Sequence, residues 1–340
     1  MHMSDALLSP AVGGSLWGAA LVAAGSAARK VRTADAGLVP LMGVLGAFVF
    51  AAQMVNFAIP GTGSSGHLCG GVLLSALLGP SAAFLVMASV LAVQALFFAD
   101  GGLLALGANA VNLGLLTCFI AYPAVFRPLA GPAPRGRRLT IASLAASVAA
   151  LQLGALGVVI ETSLSGISTL PFRSFALLML PLHLAIGVCE GLVTAAVLAY
   201  VWKAHPELLA ARAAPGSQRR PSALAVFAIA AAVTAGALAA FASTKPDGLE
   251  WSVARLAGAE PRPGDGAVHR ALATLQARTA FLAEGVSAAA GPSRAAEQPA
   301  LAAGFSHAGL VGAGLTLVIA CAAGVAARAA RGRSRSERAR

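Results

Sequence analysis

The chain opens Met1-His2-Met3, and a histidine in second place is a chelating unit by itself. The Met1 amine, the His2 amide nitrogen and the His2 imidazole Nδ1 close one five-membered and one six-membered ring around a single ion. Covalent geometry alone sets those three nitrogens. Four nitrogens in a plane suit Ni(II), Cu(II) and tetragonal Co(II), so one further donor is needed. The candidate is His67, in the stretch GTGSSGHLCG at 61–70. Ser64, Ser65 and three glycines ahead of it describe a closely approaching loop, which a metal site needs and a plain helix cap does not. The competing readings are a solvated terminal histidine at position 2 and a loop histidine that caps the next helix at position 67.

Composition says what must position these groups. The 340 residues are 58% hydrophobic and only 11% charged, with mean hydropathy +0.79, against a charged share of about a quarter in soluble domains. This is the composition of a multi-pass membrane protein, and its many alanines and 38 glycines allow close helix approach. The net charge of +11 would suggest nucleic acid in a soluble protein. Here the charge lies between apolar runs and follows topology, so no nucleic acid partner is expected. Cys69, Cys118, Cys189 and Cys321 lack CxxC spacing and sit in apolar surroundings, as packing residues do.

A membrane-spanning helix takes about 20 mostly apolar residues. Such runs occur at 6–28, 36–57, 81–99, 103–126, 139–162, 174–202, 221–242 and 305–328, with a shorter one at 67–79. The expected fold class is therefore all-α, with about nine transmembrane helices, the amino terminus outside and the carboxyl terminus cytoplasmic. Basic residues favour the cytoplasmic side of short loops. With nine spans, that side collects Arg29, Lys30 and Arg32, then Arg127, Arg135, Arg137 and Arg138, then Lys203, Arg212, Arg219 and Arg220, and the tail from 328 to 340. The short outer loops hold only Arg173. Omitting 67–79 reverses every later loop, so the charges favour it as a span. The first run is not a secretory signal, because its basic cluster follows the apolar stretch instead of preceding it. Four segments result: a metal-capture membrane domain at 1–205, a polar cytoplasmic linker at 206–220, a two-helix part at 221–330 with an outer loop at 243–304, and a basic tail at 331–340 suited to anionic lipid headgroups. One helix is expected in that loop, near 266–288, and no strand pattern of consequence is visible.

Ionisable and amide residues in apolar runs are costly and so usually paired or functional. His183 and Glu190, seven apart on one helix face, are read as structural pairing, with a contact for a partner subunit or a proton path as alternatives. Asn56, Gln94, Asn109 and Asn112 are expected to join helices by hydrogen bonds. Ser65, Asn109 and Asn112 are the candidates for the shell around the metal, with Asn109 or Asn112 orienting His67. Asp100 and the two glycines after it are expected to form an outer turn. His269 and His307 are too isolated to assign.

The stretches MHMSDALLSP, GTGSSGHLCG, LLGPSAAFLVMASVLAVQALFFADGGLLALGANAVN and HLAIGVCEGLVT together resemble the CbiM/NikM family, the membrane-embedded substrate-capture component of bacterial cobalt and nickel energy-coupling-factor transporters, over about residues 1–205. TKPDGLEW at 244–251 resembles the PDGLE motif of the small two-helix CbiN/NikN-like accessory component, here fused behind the linker. The resemblance implies that Met1, His2 and His67 bind Ni(II) or Co(II) as transported ligand in the inner cell membrane. It also implies that a transmembrane coupling subunit and two ATPase subunits act in trans. The chain has no GxxxxGKS/T phosphate loop of its own, so it is expected to be a transporter component and not an enzyme, with no cofactor. Asp247 and Glu250 of the PDGLE motif are either transient metal acceptors or fix the loop on the capture part. Ser4 and Ala6 stand where family members commonly have Pro and Gly, which leaves the path of the first turn open. Two other functions fit the residues: a membrane metal sensor or storage protein, and a membrane enzyme using His183 and Glu190 as acid and base.

Overall fold

The computed structural model describes residues 2–31, 37–132, 136–206, 208, 221–258, 266–283 and 298–338. Helix α1 (Pro10–Lys30) starts where Ser9 accepts a hydrogen bond from the Val12 N–H and Pro10 takes the first helical position. It ends on Arg29 and Lys30, whose charge suits the carbonyl end of a helix. Helix α2 (Leu38–Met54) leads into a hairpin of two short strands, β1 (Phe57–Ala58) and β2 (Ser65–Gly66). Helix α3 (Gly71–Leu78) follows, with left-handed glycines at both its borders, Gly70 at φ +79° and Gly79 at φ +86°. Pro80 then starts α4 (Pro80–Phe97). The bundle continues with α5 (Leu106–Ala130), α6 (Gly136–Ser165) and α7 (Phe172–Ala204). The C-terminal part holds α8 (Pro221–Gly236) with a tight turn at Leu238–Phe241, then α9 (Gly248–Ala257), α10 (Ala267–Thr279) and α11 (Gln298–Arg338).

Among the described residues, seven helices are long and apolar enough to cross a membrane, and α2, at 17 residues, is an eighth that is shorter. The expected span at 67–79 takes a different form. Its helix is only the eight residues of α3, about 12 Å at 1.5 Å per residue. The stretch 67–70 ahead of it is not helical. Backbone groups buried outside a helix need partners from the surrounding protein, and here they have them. The Cys69 N–H donates to Glu190 Oε2 at 2.7 Å, the Gly70 N–H to Glu190 Oε1 at 3.1 Å, and the Cys69 carbonyl accepts from Gln53 Nε2 at 2.7 Å.

Small residues let the helices close up. On α7, a Cβ at Gly187 would lie 2.9 Å from the Val148 Cα and one at Gly191 2.6 Å from the Leu144 Cα, so α6 and α7 meet nearly backbone to backbone. The C-terminal helices dock on α2 in the same way. Gly43 faces Leu317 and Cys321 of α11, and Gly46 faces Thr316 and Ala320.

Two expectations for the outer loop change, and one for the segment after α2. The helix foreseen near 266–288 is α10 and already ends at Thr279. Helix α9 was not foreseen; it forms because Asp247 and Glu250 build a reciprocal capping box, each side chain accepting the other's backbone N–H. The β1–β2 hairpin was not foreseen either, since two-residue strands leave no alternation to read. Of the linker at 206–220, all but Pro206 and Leu208 lies outside the described residues, as does Arg32.

Candidate metal centre

The amino-terminal arm is threaded into the bundle and pinned there. Asn109 of α5 accepts the Met3 N–H at 2.7 Å and donates to the Met3 carbonyl at 3.3 Å, as a neighbouring strand would. Asp5 accepts the Ala105 N–H at 2.8 Å. Met3, Leu7 and Leu8 are fully buried. Ser4 caps a single turn at Asp5–Leu7, accepting the Ala6 N–H at 3.3 Å, which fixes the path that Ser4 and Ala6 had left open. Gly101 and Gly102 make the turn expected after Asp100, and they also make room. A Cβ at Gly101 would lie 2.9 Å from Asn109 Nδ2, and one at Gly102 would overlap the Asp5 carboxylate.

This threading brings position 2 beside position 67, as the chelate idea requires. The His2 and His67 rings stack with centroids 4.9 Å apart and planes 15° from parallel, and the residues are 8% and 7% exposed. Both rings hold Nδ1 near an oxygen: His67 donates to the Leu68 carbonyl at 3.0 Å, and His2 Nδ1 lies 3.3 Å from Asp100 Oδ1. A five-and-six-ring chelate through His2 Nδ1 therefore requires that nitrogen to exchange Asp100 for the ion. Burial, and after it the positive charge of the chain's amino terminus, pushes the His2 imidazole down to about 3. Near neutral pH that ring is uncharged, the form in which imidazole binds a metal. Met1 lies outside the described residues.

Among the described residues no three His, Cys, Asp or Glu side chains form a group able to hold a metal ion. The two imidazoles supply two donors, so a planar site here draws its other nitrogens from backbone and terminus. Glu190, not His67, takes the Cys69 and Gly70 N–H groups just ahead of α3.

The C-terminal part closes over this centre. The Ser65 N–H donates to the Pro246 carbonyl at 2.8 Å and its hydroxyl to the Lys245 carbonyl at 2.7 Å, tying the His67 loop to the PDGLE stretch. Half-buried Asp247 is held below the ordinary carboxylate range: burial pushes it up, but the positive charge of the amino terminus and the Glu250 N–H outweigh it. Glu250 is raised, by burial first and then by the Asp247 charge. From the other side, His269 Nε2 donates to the Leu8 carbonyl at 2.9 Å, and Gln276 donates to the Ala95 and Gly101 carbonyls at 2.8 and 2.9 Å.

The remaining candidates fall elsewhere. Asn109 and Asn112 do not orient His67: Asn109 spends its amide on Met3, and Asn112 donates to Glu161 at 2.9 Å. His183 donates from Nδ1 to the Met179 carbonyl one turn earlier, at 2.7 Å. Glu190 has both oxygens on backbone N–H groups, which is the pairing expected of it, though its partners are loop amides. Sequence reasoning missed Asp100 as a neighbour of His2, Gln53 altogether, and His269 as a clamp on the arm. Gln53 is the one with a readable signal, as a lone amide in the apolar run of α2.

Residues 2–208 match the family model described as the cobalt uptake substrate-specific transmembrane region, CbiM, and residues 222–329 match the PDGLE domain. The chain is 37% identical over 211 residues to a putative metal transport protein of Haloquadratum walsbyi, covering 62% of this chain and 93% of that one. It is 35% identical over 250 residues to a putative fused nickel transport protein, NikMN, of Archaeoglobus fulgidus, covering 72% and 77%. A solved structure titled as a truncated transition metal transporter superposes with a TM-score of 0.53 at 29% identity, covering 60% of this chain and 100% of that one.

Proposed function

The chain belongs to the CbiM family of cobalt uptake substrate-specific transmembrane regions, with a PDGLE domain behind it, and from that premise we propose that it is the ion-capturing membrane component of an importer of Ni(II) or Co(II). The observation that carries this reading is the pinned arm: Asn109 holds Met3 so that the buried, uncharged His2 ring stacks on His67. The ion is held by the Met1 amine, the His2 amide and imidazole, and His67. Asp247 sits over this centre and the amino-terminal charge holds it ionised, so the accessory part fixes the loop and supplies a carboxylate at the mouth.

The proposed topology has nine crossings, the broken segment 67–78 among them, with the amino terminus outside and the carboxyl terminus cytoplasmic. The capture domain is 1–205, the linker 206–220 and the accessory domain 221–330. Transport is driven by ATP in partners of another chain, a coupling subunit and two ATPases, in the inner cell membrane.

The test is to acetylate the Met1 amine and titrate the intact chain with Ni(II) in detergent. Acetylation turns the amine into an amide and leaves the terminus without its anchoring donor, so tight binding is expected to vanish while the helical signal stays. Undiminished affinity in the acetylated chain defeats the four-nitrogen reading.

A further inference from the structure

We propose that Gln94 is the positioning residue of the metal centre: its amide oxygen receives the His2 Nε2 proton when an ion occupies Nδ1, and Gln53 holds that oxygen in place. The inference rests on the four-nitrogen reading above and adds to it the group that sets the His2 tautomer.

The orientation of the Gln94 amide follows from its neighbours. Gln53 Nε2 has two protons, and acceptors stand opposite it: the Cys69 carbonyl at 2.7 Å and the Met87 sulfur at 3.7 Å. Gln53 Oε1 is thereby committed to accepting, and it accepts from Gln94 Nε2 at 2.8 Å. Turning the Gln94 amide over would set two carbonyl oxygens against each other. Gln94 Oε1 is therefore fixed on the other side, where it is buried with no hydrogen bond partner. His2 Nε2 is also buried with no partner, and the Gln94 side chain stands beside the His2 ring. The Gln94 backbone contributes as well, since its carbonyl accepts the Asp100 N–H at 3.1 Å and so places the carboxylate that faces His2 Nδ1.

The His2 ring thus lies between two acceptors, and a neutral imidazole has one N–H. In the structure Nδ1 faces the Asp100 carboxylate at 3.3 Å, and Nε2 and Gln94 Oε1 form no hydrogen bond. An ion at Nδ1 reverses the arrangement. The proton leaves Nδ1, one is taken up at Nε2, and the new N–H donates to Gln94 Oε1, so the ring's own proton count is unchanged. Metal-bound imidazoles generally donate their second N–H to a fixed oxygen, and loss of that oxygen weakens binding by about 10–100-fold.

The experiment uses the full chain, Ni(II) alone and two variants. Gln94→Met keeps the size but has no carbonyl, and Ni(II) affinity is expected to fall by about 10–100-fold; Gln94→Glu in its protonated form donates its O–H to Gln53 Oε1, keeps a carbonyl toward His2 and is expected to restore affinity. In a His2→Ala chain, Gln94→Met is expected to cost nothing further. A purely structural Gln94 would give equal losses in both backgrounds and no rescue, which overturns the assignment. Nitrogen-15 spectra of the natural chain loaded with diamagnetic planar Ni(II) require no variant. They are expected to show His2 protonated at Nε2, and protonation at Nδ1 instead overturns the assignment even if Gln94→Met fails to fold. If the chain with an acetylated Met1 fails to bind while Gln94→Met binds normally, the Gln94 assignment alone falls. Tight binding by that acetylated chain takes both readings down.

Discussion

Two clusters of buried polar side chains lie close together in this bundle and differ in how their groups are committed. The inner one is built around Glu190, with Gln53 beside it. Both of its carboxylate oxygens accept from backbone N–H groups and the Cys69 carbonyl accepts from Gln53, over 2.7–3.1 Å. The outer one contains His2, His67 and Asp100, and there a ring nitrogen of His2 and an oxygen of neighbouring Gln94 are left without partners. A buried polar group whose partners are all fixed backbone stabilises a shape. One whose partners are exchangeable side chains, with a lone pair left over, is ready for a ligand.

The contrast is broken most forcefully by cutting each cluster once. Glu190→Ala strands the Cys69 and Gly70 N–H groups inside the bundle, at about 1–3 kcal/mol each. A stability loss of about 2–6 kcal/mol is expected in thermal or denaturant unfolding, with metal affinity falling only as folded chain is lost. His2→Ala is expected to do the opposite. A four-ligand site is worth about 10–16 kcal/mol, so one donor is about 3 kcal/mol, or about 100-fold in affinity, with unfolding unchanged. If His2→Ala unfolds the chain as readily as Glu190→Ala does, the two clusters are of one kind and the distinction fails.

Acidity sharpens the same contrast. The His2 ring is held near 3 by burial, so it stays neutral from pH 8 to pH 5, and lowering the pH there does not protonate it. In the proposed scheme the protons displaced on loading come from the Met1 amine, which titrates at about 8 in ordinary peptides, and from the His2 amide. Affinity is expected to fall about 100-fold per pH unit below that amine value and about 10-fold per unit above it. Isothermal titration in buffers of different ionisation heat counts the protons directly. A third proton appearing below pH 6.5 would show that the His2 ring titrates normally and is not shielded by burial.

Much of this arrangement can be read from the residues, and the limit has a physical cause. Helix positions follow from apolar length, so α4, α6 and α7 begin and end within about three residues of the expected runs. The candidate donors His2 and His67 follow from covalent geometry and a glycine-rich approach, and the structure places their rings side by side. What sequence could not supply is pairing across the bundle. Asn109 might have served either a ring or the arm, and only the three-dimensional position of Met3 decides it. Asp100 reads as a turn residue because its neighbours are glycines, yet those glycines are there because the arm crosses over them. Helix α9 was hidden for a different reason. Asp247 and Glu250 have the spacing of a capping box, and reading them for metal chemistry obscured their local role.

The accessory part tests whether the outer cluster depends on being covered. Ser65→Ala removes the hydroxyl bond to the Lys245 carbonyl but keeps the backbone bond to Pro246. The expected cost is about 1 kcal/mol. Hydrogen exchange at 243–258 and at 57–66 is expected to quicken together, while the Ni(II) affinity changes by less than about threefold. Exchange that quickens in only one of the two segments argues that they are not coupled through this contact.

The smallest effect probes where the cover rests. A Cβ at Gly248 would lie 3.3 Å from His183 Cε1 and 3.8 Å from Leu182 Cδ1, tight for the first and ordinary for the second. Gly248→Ala therefore asks α9 or the His183 ring to give by a few tenths of an ångström. The ring is tethered by its bond to the Met179 carbonyl, whereas α9 has only ten residues, so α9 is the element that moves. A loss at the lower end of the about 1–3 kcal/mol of an overpacked contact is expected, seen as faster hydrogen exchange within α9 and none within α7. Faster exchange at Met179–His183 instead would mean that the helix yields and the cover is the rigid body. That outcome reverses the order of stiffness on which the contrast between the outer and inner clusters depends.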